Sequence, residues 1–434
     1  ILNGYLNNNL KLNPMKKYVW LVAFMCALSV SCSSDDVAQQ ANGNDRQAVS
    51  DSTSAGFGTS LTSEQLSAVK AVNGFALNLF AQQTKRSAGR STVLSPFSAA
   101  VVMGMLHQGA TQTTAAEIRA ALHLEDNTQS SISEQLHDLA ALVASNGEQA
   151  QLSMANNLVI NSKSSSLKEN FREAMKTYYQ TEPLWLDFSS SFALESINNW
   201  CKAHTDGRIT EIISELDKDV MICVLNAVSL SALWQKPFDE AETRGGIFVK
   251  ADGTHMSIKM MNAVSEVDYL EDGEIQAVRL PMGTGKYAMT LLLPPASTTT
   301  DQWIASLSAE KLAGMAFKKE EVMMTIPIFE TETEADLKDL LKDMGVRRMF
   351  NRYLSELTEI VEMQQYVTLM KQKVRLGIDE KGCEGSAVTI AELKDGSDIG
   401  GSQQKRFMAT RPFVYMVSDA DTGLLLFTGQ FGGE

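Results

Sequence analysis

Near its C-terminus this chain breaks off a strand pattern and does not resume one for about thirty residues. Val374, Leu376 and Ile378 alternate as a half-buried strand does. The run that follows, Glu380-Lys381-Gly382-Cys383-Glu384-Gly385-Ser386-Ala387, has no large apolar side chain, and the next conventional strand begins near Phe407. The sequence thus predicts an exposed loop far longer than ordinary connections, and ordered domains keep such loops for function. Whatever this chain folds into must hold that loop on a large, stable body.

The rest of the sequence supplies the body. With 44% hydrophobic and 21% charged residues it can build a sizeable core without cross-links. Thr62 and Gln65 fit a capping box, and Leu66, Val69, Val72, Ala76, Leu79 and Phe80 then recur at helical spacing. Residues 99–108 and 197–202 read as helices, the second stopping near Gly207. Leu337, Leu340, Leu341 and Met344 stripe another helix that Gly345 ends. Residues 221–233, 287–293, 322–328 and 413–417 are β-type runs bounded by glycine or proline. No βαβ rhythm, repeat or second linker is visible, so residues 62–434 are expected to form one α+β domain.

The first 61 residues read differently. Residues 1–14 are Asn-rich and aperiodic, which marks Met15 as the true start and the preceding stretch as untranslated or mis-assigned. Residues 15–31 have the layout of a secretory signal: Lys16-Lys17, a short apolar run, then Ser29-Val30-Ser31 before Cys32. The competing reading, a membrane anchor helix, needs a longer apolar run. Small residues followed by cysteine resemble a lipoprotein processing site, with Cys32 the lipidated residue, although Ser29 stands where that pattern prefers leucine. Ser33-Ser34-Asp35-Asp36 is similar to an acidic tag for the cell surface. The polar stretch 32–61 is expected to be a flexible tether. The chain is therefore expected to be exported, as an outer-membrane or cell-surface lipoprotein or otherwise extracellular, touching membrane through the lipid only.

Several function classes are disfavoured. A net charge of −14 argues against a nucleic-acid surface. Cys201, Cys223 and Cys383 are odd in number and widely spaced, implying neither a disulfide framework nor a metal site. No nucleophile elbow, zinc-protease motif or phosphate-cradling loop appears, and the five histidines, His107, His123, His137, His204 and His255, are scattered singly. The sequence gives no reason to expect an enzyme, a metal or a cofactor.

Several short segments, taken in order, carry a resemblance. They are Ser91-Thr92-Val93-Leu94-Ser95-Pro96-Phe97-Ser98 with Gly109-Ala110 and Glu117-Ile118; Ile197-Asn198-Asn199-Trp200 with Thr205-Asp206-Gly207-Arg208-Ile209; Leu225-Asn226-Ala227 with Trp234 and Pro237-Phe238; Arg411-Pro412-Phe413; and Gly423-Leu424-Leu425-Leu426-Phe427-Thr428-Gly429. Together they resemble the serpin family over residues 74–431. The resemblance implies a serpin fold of three β-sheets and about eight to nine helices with an exposed reactive-centre loop. It implies a monomer that traps serine, and also cysteine, proteases in a covalent complex: the loop is cut, an acyl-enzyme forms, and the loop inserts into the main sheet as a new strand. The alternative is a non-inhibitory member acting as a binding or chaperone-like module.

Under this resemblance Glu380-Lys381-Gly382 opens the loop hinge, which runs on through Cys383, Glu384, Gly385, Ser386, Ala387, Val388 and Thr389. An inserting strand alternates its faces. If Cys383 points inward, so do Gly385, Ala387 and Thr389, all small; a large charged group there would be buried unpaired at a cost of several kcal/mol. No proline lies between Glu380 and Gly401, so the backbone can pair throughout. Residues 383–395 would span roughly 43 Å at about 3.3 Å each. Cys383 replaces the usual threonine. Gln372 stands where many members have histidine in a polar cluster beneath the sheet, with Ser95, Ser98 and Asn226 as partners; glutamine can both donate and accept there. Counting from Glu380 puts the reactive bond at Gly396-Ser397, while counting back from Pro412 lands near Gly401. By side chain, Lys394 would suit a trypsin-like pocket, and Leu393 or Ile399 an apolar one.

Overall fold

The computed structural model describes residues 61–144, 146–147, 149–163, 166–205, 207–383 and 404–434. Cys32, the hinge residues Glu384, Gly385, Ser386, Ala387, Val388 and Thr389, and every reactive-bond candidate (Leu393, Lys394, Gly396, Ser397, Ile399) lie outside them.

Nine helices occur among the described residues: α1 (Ser63–Ser87), α2 (Pro96–Gln108), α3 (Gln112–Ala121), α4 (Gln129–Val143), α5 (Glu169–Tyr179), α6 (Ser191–His204), α7 (Thr300–Ala305), α8 (Ala309–Ala313) and α9 (Leu337–Asp343). The strands are β1 (Thr92–Leu94), β2 (Asn146–Gly147), β3 (Ala150–Asn161), β4 (Leu184–Leu186), β5 (Ile222–Leu233), β6 (Arg244–Val249), β7 (His255–Glu271), β8 (Gln276–Met282), β9 (Tyr287–Leu293), β10 (Lys318–Pro327), β11 (Phe329–Asp336), β12 (Val367–Ile378), β13 (Gly382–Cys383), β14 (Lys405–Met408), β15 (Phe413–Asp419) and β16 (Leu425–Phe431). This is the expected α+β mixture.

One sheet runs in the order β11-β12-β13-β5-β3-β2, with β4 on β3. The other runs β1-β16-β15-β9-β8-β7-β10-β14, with β6 on β7. The expected second and third sheets are joined because β7 is long. Its first part, up to Met260, pairs with β6, its length from Met260 to Tyr269 pairs with β10, and its end, from Asp268 to Glu271, pairs with β8.

Local chemistry accounts for the helix ends. Thr62 and Gln65 form the reciprocal capping box at the start of α1. Val69, Val72, Ala76, Leu79 and Phe80 are buried along its face, whereas Leu66, at the periphery of that stripe, is 54% exposed. Proline at the first position of α2 costs no hydrogen bond there. Every residue of α2 from Pro96 to His107 is buried, so this helix is hydrophobic on all sides and runs through the core. Aromatic packing ties the two sheets together: Phe329 of β11 meets Phe413 edge to face and Tyr415 and Phe431 at a tilt, at centroid distances of 5.5, 5.1 and 4.8 Å.

One histidine is more than an ordinary core residue. His107 lies in the last turn of α2, is buried, and has Arg119 Nη1 3.4 Å from its Nε2. Burial first, and the neighbouring Arg119 charge second, lower its pKa from 6.5 to about 4. The native state therefore resists a proton that the unfolded chain accepts. Stability conferred by the neutral ring is complete above about pH 6.5 and is lost as the pH falls toward about 4, by about 3 kcal/mol. Urea midpoints measured from pH 7 to pH 4 should fall, and His107→Gln should flatten that slope; an equal slope in both proteins would show that the ring does not govern it.

Candidate functional site

β5 and β12 lie side by side in parallel, from Ile222 opposite Val367 to Val228 opposite Val374. Above Val374 they part, and the chain turns back into the gap. β12 ends at Ile378, where Asp379 caps a tight turn: its Oδ1 accepts from the backbone N–H of Lys381 at 2.8 Å and of Gly382 at 3.1 Å. Gly382 and Cys383 then pair antiparallel with both neighbours, Gly382 opposite Leu233, and Cys383 opposite Ala232 on one side and Ile378 on the other.

The start of the hinge is therefore not part of the exposed loop, as its polarity suggested. Gly382 and Cys383 are buried in the sheet. A side chain at Gly382 would run into the Ala232 carbonyl and come within 2.7 Å of the Leu233 Cα, so this close approach requires glycine. Cys383 points inward, its Sγ 4.0 Å from the Leu230 carbonyl.

Three successive carbonyls of the turn are held from the β5 side. Trp234 Nε1 donates to Asp379 O, the Trp234 amide to Lys381 O and the Phe238 amide to Glu380 O, each at 2.8 Å. Glu240 adds a half-exposed ion pair to Lys381 at 3.6 Å. Sequence reasoning had placed Trp234 and Phe238 only in a motif. Their role as clamps on the hinge depends on tertiary proximity that spacing cannot reveal.

Below the hinge the expected polar cluster is assembled. Gln372 Nε2 donates to Asn226 Oδ1 at 2.6 Å and to Ser95 O at 2.9 Å, while the Ser95 amide donates to Gln372 Oε1 at 3.0 Å. Asn226 Nδ2 donates to Ser98 Oγ at 3.0 Å and to Asn156 Oδ1 at 2.9 Å, and Ser98 Oγ donates to the same Asn156 oxygen. All four residues named from the sequence meet here. Asn156 of β3 is an addition; the β3–β5 register sets it directly opposite Asn226, and an asparagine at an inward strand position was the only signal.

The two halves beside the seam are each held firmly. On the outer face of β12, Arg375, Lys373 and Lys371 pair with Glu330, Glu332 and Glu334 of β11 at 2.6, 3.3 and 3.5 Å. Exposed pairs contribute little singly, but all of these lie on the β11 side. On the other side, Ile197 and Cys201 of α6 pack with Val159, Cys223, Leu225 and Ala227 of β3 and β5 in one buried apolar cluster. Burial pushes the Cys201 and Cys223 thiols up to about 12, so they sit there as inert apolar groups. Among the described residues Cys201, Cys223 and Cys383 form no disulfide.

A sheet closed below and entered above by its own loop hinge can be set against known proteins. A family model for serpins (serine protease inhibitors) matches residues 70–432. The chain belongs to the serpin family. Among relatives of this serpin, an uncharacterized serpin-like protein of Thermococcus kodakarensis is 28% identical over 369 residues, covering 83% of this chain and 84% of that one. Neuroserpin of Gallus gallus is 28% identical over 375 residues, covering 82% and 89%. The native thermophilic serpin tengpin has the same fold, with a TM-score of 0.79 at 22% identity over 87% of this chain and 96% of that chain. So has human thyroxine-binding globulin in complex with its hormone, with a TM-score of 0.77 at 23% identity over 85% and 98%.

Gln372→Ala should leave Asn226 Oδ1 and the Ser95 amide unsatisfied in the interior, while the Ser95 carbonyl keeps its bond from the Ala99 amide. Stability in urea should fall by about 2–4 kcal/mol, and Gln372→His should recover part of the loss. An alanine variant as stable as the parent would show that the cluster does not hold the seam.

Proposed function

We propose that this serpin is inhibitory, trapping serine proteases, and cysteine proteases of suitable specificity, by loop cleavage and strand insertion. The observation that carries the reading is the position of Gly382 and Cys383, which already form the first rungs of a strand between β5 and β12. Extending that register downward sets Ala387 between Val374 and Val228, and Thr389 between Gln372 and Asn226. Both demands are met. Alanine fits an inward core position, and the Thr389 hydroxyl can replace the Gln372–Asn226 hydrogen bond that insertion must break.

The same register bears on the reactive bond. The β5 and β12 rungs run out at Ile222 and Val367, which fall opposite residues 393 and 394 of an inserted strand. A bond at Gly396-Ser397 would lie just past the end of the ladder, and an acylated protease would be drawn to the far pole. A bond at Lys394 would end on the last rung. We place the cleaved bond between Lys394 and Gly400. We further propose that the mature chain is exported and begins at a lipidated Cys32, working as a monomer tethered by residues 32–61.

Incubation with trypsin, chymotrypsin, elastase and papain should yield a complex that survives denaturing electrophoresis with at least one of them. The cleaved protein should be far more heat-stable than the intact one, because insertion releases stored strain. Ala387→Arg should abolish trapping while leaving cleavage. Cleavage by every protease with no complex would place the chain among non-inhibitory binding members instead. The mass of the released C-terminal fragment locates the bond; a start before Leu393 or after Gly401 would mean the register is misread. Intact mass of the native N-terminus should show acyl chains on Cys32, and a chain beginning upstream of it would exclude the lipid anchor.

A further inference from the structure

At the foot of the seam a side chain of β12 reaches across to the start of β5. The parallel ladder has one irregularity there: Val367 stands opposite Ile222 and Leu369 opposite Cys223, so Thr368 is an extra residue, a bulge in β12. Its hydroxyl accepts from the Met221 amide at 3.1 Å, and its carbonyl accepts from Lys338 Nζ of α9 at 3.2 Å. Met221 is in turn fixed to β3. Its carbonyl accepts from the Asn161 amide at 3.0 Å, and Asn161 Nδ2 donates to Val220 O at 2.8 Å and to Lys218 O at 3.1 Å. The two ends of the Thr368–Met221 bond thus belong to different halves of the sheet, one held by α9 and the other by β3. Bulges recur beside functional sites, where they re-aim a side chain.

An entering strand meets different chemistry at each level of the seam. At the top, Gly382 and Cys383 are already in place. At the polar cluster the arriving residue is Thr389, whose hydroxyl can take over a broken bond. At the foot the arriving residues are Leu393 and Lys394, whose side chains offer the Met221 amide no acceptor. We infer that Thr368 is a latch on the last step of insertion, a positioning residue that keeps the foot of the sheet closed until a cleaved loop has filled the rungs above. The inference rests on the inhibitory reading. In the intact chain the latch opposes entry of the uncut loop; in the cleaved and inserted chain its bond is broken.

The test compares Thr368→Val, which keeps the shape and removes the hydroxyl, with Thr368→Ser, which keeps the hydroxyl. In the valine variant the Met221 amide should exchange with deuterium roughly fivefold faster. A synthetic peptide of residues 383–395 should add to the intact valine variant roughly threefold faster or more than to the parent, read by native electrophoresis, and the serine variant should behave as the parent does. The urea midpoint of the intact valine variant should fall by about 0.3 M, while that of its loop-cleaved form should match the cleaved parent. Equal losses in the intact and cleaved forms would make Thr368 a merely structural residue, and peptide addition at the parent's rate, or to neither protein, would overturn the latch. A parent that forms no covalent complex with any protease overturns the inhibitory reading instead, and the peptide assay, which needs no protease, still decides the latch.

Discussion

The architecture turns on a ladder that stops short. Parallel strands β5 and β12 share rungs from Ile222 and Val367 up to Val228 and Val374, and farther along Gly382 and Cys383 stand between Ala232 and Leu233 of β5 and Ile378 of β12. Buried backbone groups of a strand edge must be satisfied, and at this level the first two residues of the loop take that place. Everything nearby supports that arrangement: the capped turn at Asp379, the glycine that permits close approach, and the three donors from the Trp234 and Phe238 region.

Forces around the seam are unequal. β12 is fastened to β11 by an antiparallel ladder and its ion pairs, and β5 is fastened to β3 and α6 by buried apolar packing. Between these halves lie a shorter parallel ladder and a polar cluster whose hydrogen bonds can be exchanged for others. Packed apolar contacts are lost outright when surfaces separate, whereas a polar pair can be re-formed with a newcomer of the right chemistry.

Much of this was legible in the sequence. The capping box, the striped helices, the long β runs and the polar cluster of Ser95, Ser98, Asn226 and Gln372 follow from local chemistry or from motifs, and all appear where expected. What could not be read was tertiary. Gly382 and Cys383 looked exposed because the run around them is polar or small; only the diverging edges of β5 and β12 make their smallness a reason for burial. Asn156 joins the cluster through strand register, and Trp234 finds Asp379 across 145 residues of chain. Cys383 shows the complementary case. Its inward position was the condition on which the alternation of the hinge was read, and the buried Sγ meets that condition.

Gln372 occupies a place where many serpins carry histidine. An amide has no proton to gain or lose in the physiological range, so its hydrogen bonds to Ser95 and Asn226 keep the same donors and acceptors in mild acid and in mild alkali. A histidine there would switch its acceptor nitrogen to a donor on acidification and so couple the closure of the sheet to the surroundings. In this chain the acid sensitivity sits instead at His107, at the far end of the α2 helix that Ser95 precedes. Acid therefore weakens the fold at His107 while the donors and acceptors that close the seam at Gln372 stay as they are.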